Sequence, residues 1–215
     1  MDEAKLKSFR YWKTQEIEDT FGISEVKNSQ ELEKWLSTKC EITSQEESNL
    51  ERLRIRLEER VTYWNEATLS FYFVSPLIDM VDFNSDRYAG FLETKLDLIL
   101  DNQIIQGSVD FLVATGKQIP KAPFFALHEY KPEVGVVTDP QGQLLIAMLA
   151  ADSRNKELEL DLPLYGTYII GRLFFFLYFY KNQYARSRSY DATQEDIRDI
   201  FCAFKWVKSY IEDNS

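Results

Sequence analysis

Along the first third of the chain, apolar residues recur at the intervals of an α-helix. Between residues 44 and 69 most of them fit one helical face: Leu50, Leu53, Ile55, Leu57, Val61, Trp64 and Leu69. That spacing places the side chains on one face of a helix. Ser44 is predicted to cap this long helix, and Ser29 to cap a shorter one before it, because serine oxygens accept hydrogen bonds from the first free N–H groups.

From about Lys95 the pattern changes to the alternation of β-strands. KLDLIL, IIQGSVDFLVA and FFALHEYK are predicted as three successive strands. Asp101 and Asn102 are typical turn residues and are predicted to join the first two. Gly107 is predicted to bend the second strand, since glycine inside a strand often marks a bulge or bend.

Strands and helices then alternate to the end of the chain. Asp139 and Pro140 open the predicted helix QGQLLIAMLAAD, which is followed by the strands YGTYIIGR, LFFFLYFYK and QYARSRSY. Thr193 is predicted to cap a final amphipathic helix, with Asp196 at the capping-box position. This order indicates an α/β fold, in which helices flank one mixed β-sheet. We expect a helical N-terminal segment over residues 1–56 and one domain over residues 57–215.

Composition narrows the class of protein. The chain has 215 residues, of which 45% are hydrophobic and 28% charged, so a disordered chain is not expected. Its net charge of −10 argues against coating nucleic acid through bulk positive charge. The start lacks the apolar core of a signal peptide, and the longest apolar run is far shorter than the ~20 residues of a membrane span. We therefore expect a soluble cytoplasmic protein.

Several catalytic classes find no support in the residues. Cys40 and Cys202 are too few for a disulfide framework, and with one histidine they do not form a zinc site. There is no GxSxG nucleophile elbow and no GxxxxGK[ST] phosphate loop. His128 alternates with Glu129 along its strand, so it is predicted to pack on the opposite face.

Three residues on two neighbouring strands carry the candidate chemistry. Asp110 lies in GSVDFLVA, and Glu129 and Lys131 lie in FFALHEYK. Glu129 and Lys131 share a face of their strand, and a hairpin would bring Asp110 close to Glu129. Two carboxylates suit a hard cation such as Mg²⁺, and a lysine beside them suits a water or a phosphate.

The order Asp, about twenty residues, then Glu-x-Lys resembles the PD-(D/E)XK superfamily, which has a restriction-endonuclease-like fold. The sequence from Leu57 to Tyr180 follows the helix-strand-strand-strand-helix-strand order of that fold's core. It is similar to small bacterial members without an assigned activity and to the nuclease domain of type I restriction enzyme motor subunits. Two departures stand out, because Val109 replaces the usual proline and Ala147 stands where some subfamilies have tyrosine.

The resemblance implies roles for named residues. Asp110 and Glu129 would bind Mg²⁺ or Mn²⁺, and Lys131 would position or activate the attacking water. Glu66 matches the acidic residue of the first core helix and would complete the metal shell; Glu59 is a weaker match, and an ordinary surface role for Glu66 stays open. Further residues are candidate substrate contacts: Gln143, Arg172, Lys117, Lys121, Arg186 and Arg188.

The expected function is hydrolysis of DNA phosphodiester bonds, with RNA as a second substrate class. One alternative is a catalytically inactive protein of the same fold that binds nucleic acid or another protein. Another is a structural subunit that binds a protein partner or a second copy through its N-terminal helices. Trp12 and Trp35 in that segment permit such an interface.

Overall fold

The structure, a computed structural model, describes residues 7–100 and 103–215. Its strands form one sheet in the order β1-β7-β6-β5-β4-β3-β2, with β8 beside β6. The strands are β1 (Ser24–Glu25), β2 (Tyr88–Leu100), β3 (Gln103–Thr115), β4 (Lys121–Lys131), β5 (Leu164–Ile170), β6 (Leu173–Tyr180), β7 (Gln183–Arg186) and β8 (Tyr190–Asp191).

The sheet is mixed, as the order of elements predicted. β4 and β5 run parallel, as do β1 and β7, while the other pairs are antiparallel. A helix joins β4 to β5, since neighbouring parallel strands need a long connection. The predicted turn at Asp101 and Asn102 lies outside the described residues.

Helices cover both faces of the sheet and bury two apolar clusters against it. Helices α2, α3, α5 and α7 pack on one face, and α1 and α6 pack on the other. The helices are α1 (Thr14–Phe21), α2 (Gln30–Ser37), α3 (Ser44–Arg60), α4 (Glu66–Leu69), α5 (Ser75–Val81), α6 (Pro140–Glu157) and α7 (Asp196–Asn214). The predicted α/β architecture with a helical N-terminal region is confirmed.

The single helix predicted from residue 44 to residue 69 is wrong over residues 61–65, where the α-helix is interrupted. α3 ends at Arg60, and a short 3₁₀ turn follows. The Asn65 carboxamide then accepts a hydrogen bond from the Thr68 N–H at 2.9 Å and starts α4 at Glu66. An asparagine side chain competes for backbone hydrogen bonds and favours such a helix start over a helix interior.

The predicted helix caps are confirmed at α6 and α2 and are wrong at α3 and α7. The Asp139 carboxylate caps α6, and Ser29 caps α2. At α3 the cap is Thr43, one residue before the predicted Ser44, and it forms a capping box with Glu46. Thr193 instead donates to the Asp191 carboxylate, and α7 begins three residues later.

Residues before the predicted boundary at position 56 share their core with the sheet. Trp35 is 1% exposed, and its Nε1 donates to the Ala203 carbonyl in α7 at 2.9 Å. Trp12 is buried as well, so both tryptophans proposed for a partner interface pack inside this chain. The domain division and the interface through the N-terminal helices stay predictions.

The two cysteines lie 162 positions apart and are joined. Cys40 and Cys202 form a disulfide, with their Cα atoms 5.3 Å apart. The cysteine count had indicated no disulfide framework, and local pattern gives no sign that these two residues meet. Disulfides persist mainly in oxidising compartments, so the expected cytoplasmic location stays a prediction. Over the residues that the structure describes, no helix is long and apolar enough to cross a membrane.

Candidate metal and nucleic-acid site

Strands β3 and β4 bring the predicted carboxylates together. Phe111 is paired with His128 in the antiparallel register, so Asp110 and Glu129 occupy the next cross-strand position on the same face. The Tyr130 N–H donates to Asp110 Oδ2 at 2.5 Å. A side-chain oxygen thus takes a hydrogen bond that a strand carbonyl would otherwise accept, which ties Asp110 to the end of β4.

Lys131 lies at the centre of this group. Its Nζ donates to Glu129 Oε1 at 2.5 Å, to the Tyr130 carbonyl at 2.8 Å and to Glu66 Oε2 at 3.2 Å. An ammonium group has three donors, and these partners use all of them. The structure therefore places Glu66 against Lys131, and its predicted role as a metal ligand stays a prediction.

Gln143 reaches the same carboxylates from α6. Its Nε2 donates to Glu129 Oε1 at 3.0 Å. Its Oε1 is buried and accepts no hydrogen bond within the described part of the chain, although the whole residue is only 8% exposed. A buried acceptor without a donor is costly and calls for a ligand, an ion or a water.

Three oxygen atoms in the site are left without a protein donor among residues 7–100 and 103–215. Asp110 uses only Oδ2 and Glu129 only Oε1, so Asp110 Oδ1, Glu129 Oε2 and Gln143 Oε1 accept no hydrogen bond there. Carboxylate and amide oxygens are the ligands that hard divalent cations prefer. This donor set fits Mg²⁺ or Mn²⁺.

Burial changes the acidity of both carboxyl groups. Desolvation raises the pKa of Asp110 to about 6, with nearby Glu66 and Glu93 adding repulsion. Desolvation and the adjacent Asp110 charge raise the pKa of Glu129 to about 7, against the opposing effect of Lys131. A bound cation would favour the charged forms of both groups, since an opposite charge lowers a carboxyl pKa.

The described residues contain no cluster of three or more His, Cys, Asp or Glu side chains arranged to hold a metal. Mg²⁺ does not require one, because it is usually bound through one or two carboxylates and keeps several waters. The two carboxylates and the Gln143 amide oxygen meet that lighter requirement.

The site opens into a cavity of about 720 Å³. Four acidic and three basic side chains line it: Glu66, Glu93, Asp110 and Glu129, with Arg10, Lys95 and Lys131.

Glu93 was not singled out from the sequence. It lies across from Asp110, because its neighbours Leu92 and Thr94 pair with Phe111 and Val109. Its φ of 46° is in the left-handed region, which is uncommon for a glutamate within a strand.

Comparison with known proteins gives little information about the function of these residues. No family model matches the chain, and no curated protein matches it. Among solved structures, it is similar to a fragment assigned as the HsdR subunit of a type I restriction enzyme from Vibrio vulnificus YJ016, at 15% identity and a TM-score of 0.32. The match covers 65% of this chain and 26% of that chain. A TM-score this low establishes no common function, so the function is argued from the site.

Other residues predicted from the sequence lie elsewhere. Arg172 forms ion pairs with Glu133 and Asp191 and does not line the cavity. Arg188 pairs with Asp196, and Arg186 donates to the Gln141 carboxamide. Lys117 and Lys121 also lie outside the cavity lining. A local basic groove built from these residues does not form at the site.

His128 packs on the opposite face, as the alternation predicted. It is 2% exposed and lies against the rings of Phe111 and Phe204. Burial lowers the pKa of its imidazole to about 3, so the ring is neutral near pH 7. It takes no part in the site.

Proposed function

We propose that this protein is a metal-dependent nuclease that hydrolyses DNA phosphodiester bonds with Mg²⁺ or Mn²⁺. The observation that carries the proposal is the convergence of Asp110, Glu129 and Lys131 in one cavity, with one oxygen of each carboxylate accepting no hydrogen bond from the described residues. Gln143 Oε1 supports it as a third such oxygen. A buried acidic pair with raised pKa values in a cleft is typical of functional sites.

Each residue has a distinct task in this proposal. Asp110, Glu129 and Gln143 hold the cation, which when bound polarises a phosphate oxygen and lowers the pKa of a bound water. Lys131 offsets charge on the scissile phosphate and orients the attacking water. To do so it must release one of its three acceptors, and Glu66 is the most readily exchanged. That contact is the longest of the three, at 3.2 Å, and the Glu66 side chain is 46% exposed.

The test is cleavage of plasmid, linear duplex and single-stranded DNA with Mg²⁺ or Mn²⁺. We expect cleavage by the wild type and a loss of about a hundredfold or more in Lys131→Ala, since one general acid–base or charge-stabilising group contributes that much. Lys34→Ala is the matched control, because Lys34 is exposed on α2 and lies outside the cavity. It should cleave like the wild type.

Equal cleavage by Lys131→Ala and the wild type would assign the activity to a contaminant and overturn the proposal. So would a wild type that cleaves no substrate with either metal. In that second case, metal binding together with retained DNA binding would favour the alternative of an inactive nucleic-acid-binding protein of this fold.

A further inference from the structure

A short segment near the N-terminus, residues 8–14, borders the cavity through Ser8, Phe9 and Arg10; we call it the strap. Its first anchor is Phe9, which is 2% exposed and lies on Gly107 of β3. A Cβ at position 107 would lie 2.2 Å from Phe9 Cγ, closer than any real contact. Gly107 is thus required for the phenyl ring to dock, three residues from Asp110.

The second anchor lies at the N-terminus of α6. The Thr14 N–H and hydroxyl both donate to Asp139 Oδ2, at 2.8 and 2.9 Å. Gly142 lets the two segments approach, since a Cβ there would lie 2.6 Å from the Trp12 carbonyl oxygen. The strap is therefore fixed to the strand that carries Asp110 and to the helix that carries Gln143.

Between these anchors the strap presents Arg10 and Tyr11 to solvent. Arg10 lines the cavity, and no carboxylate among the described residues pairs with it. Tyr11 is 67% exposed, and it stacks on no other described aromatic ring. Both residues also line a neighbouring depression of about 590 Å³ that continues from the cavity.

Lys95 of β2 is a second cation in the cavity lining. It is exposed, and it forms no ion pair with the carboxylates that the structure describes. Arg10 and Lys95 thus add positive charge to a cavity that otherwise carries four carboxylates and Lys131. Cations flanking an acidic metal site are complementary to a phosphodiester backbone that crosses the metal.

We propose that the strap binds an unpaired nucleic-acid strand and guides it into the site. Arg10 and Lys95 contact backbone phosphates, and the Tyr11 ring stacks on a base. An exposed ring beside the cations favours a single strand, because the bases of a duplex are already stacked within it. This inference rests on the proposed nuclease function and assigns its substrate as single-stranded DNA.

The test measures binding without turnover. A fluorescein-labelled single strand of about 20 nucleotides and its duplex form are titrated with the Lys131→Ala protein, and the anisotropy is recorded. We expect the single strand to bind more tightly. Adding Tyr11→Ala should raise its Kd about fivefold or more, as for other stacking residues. Arg10→Ala or Lys95→Ala should raise Kd and reduce the salt slope by about one.

Conservative variants separate contact from structure. Tyr11→Phe keeps the stacking face and should bind like the parent, and Arg10→Lys should retain most of the affinity. Arg52→Ala, an exposed arginine on α3 outside the cavity, should leave Kd unchanged. In the active enzyme, Tyr11→Ala should raise KM for the single strand with little change in kcat.

Unchanged Kd and KM in Arg10→Ala and Tyr11→Ala would overturn the strap inference while leaving a cleaving wild type, and hence the nuclease proposal, intact. Equal or tighter binding of the duplex would also overturn it. A wild type that does not cleave, combined with strap-dependent binding of the single strand, would overturn the nuclease function alone.

Discussion

At the scale of single residues, the site is organised around a lysine with no free donor. Lys131 is saturated by Glu129, Glu66 and the Tyr130 carbonyl. The oxygens available to a ligand belong instead to Asp110, Glu129 and Gln143. Lys131 holds Glu129 through Oε1 and leaves Oε2 to a divalent ion, so the two cations can share this carboxylate.

We expect the stabilisation by Mg²⁺ to depend on pH. The pKa values of Asp110 and Glu129 are raised to about 6 and about 7, so the folded protein keeps protons that the unfolded chain releases above about pH 4. The stability from these two groups is complete below that pH and is lost as pH rises through 6 and 7. Mg²⁺ binds the charged carboxylates, so its shift of Tm should be larger at pH 8 than at pH 5.

Thermal melting with and without Mg²⁺ at the two pH values measures this effect. Equal shifts at pH 5 and pH 8 would contradict the assignment of the metal to these carboxylates.

Removing one carboxylate should abolish the metal response. In Asp110→Asn, an amide replaces a charged ligand while the shape is kept, so we expect the Mg²⁺-induced increase in Tm to disappear. The measurement is thermal melting across a Mg²⁺ titration at pH 8. Asp161→Asn is the control, because Asp161 is an exposed carboxylate paired with Lys181 away from the cavity. A full shift in Asp110→Asn would show that the cation binds elsewhere.

At the scale of elements, the strap packs against β3 because Gly107 has no side chain where the Phe9 ring lies. We expect Gly107→Ala to displace Phe9 and to lower the free energy of unfolding by about 1–3 kcal/mol, as overpacking does. Phe9→Ala should cost about 3–5 kcal/mol by leaving a cavity.

The double variant should cost less than the sum of the two, because the new methyl group then occupies space that the phenyl ring has vacated. Urea unfolding of the four proteins measures this coupling. Additive costs would mean that the two positions do not touch.

At the scale of the whole molecule, the Cys40–Cys202 disulfide closes a loop of 162 positions and ties the N-terminal helices to α7. A cross-link over so long a loop restricts the unfolded chain and is worth about 5 kcal/mol in the chain-entropy estimate. We therefore expect dithiothreitol to lower the Tm of the wild type.

The double variant Cys40→Ser, Cys202→Ser should melt at the lower temperature and should not respond to dithiothreitol. Thiol labelling of the denatured protein supplies an independent count, with no label before reduction and two after. Two labelled thiols without reduction would contradict the disulfide.

The sequence by itself determined the long strands, the helix starts at Ser29 and Asp139 and the D…ExK triad, because each depends on local residue spacing. Alternation along FFALHEYK set Glu129 and Lys131 on one face and His128 on the other, and the structure confirms that arrangement. The helix break before Glu66 was missed, since the apolar period continues past Arg60, where α3 ends, and Asn65 then starts a new helix.

Only the tertiary structure decided what surrounds the triad. The docking of Phe9 on Gly107, the meeting of Gln143 with Glu129 and the joining of Cys40 to Cys202 connect distant parts of the chain. Periodicity reports which face a side chain occupies, but not which remote segment covers that face. The sequence did not indicate that the cavity lining includes Arg10, Lys95 and Glu93. These residues share the cavity because the fold brings β2, β3, β4 and the strap together.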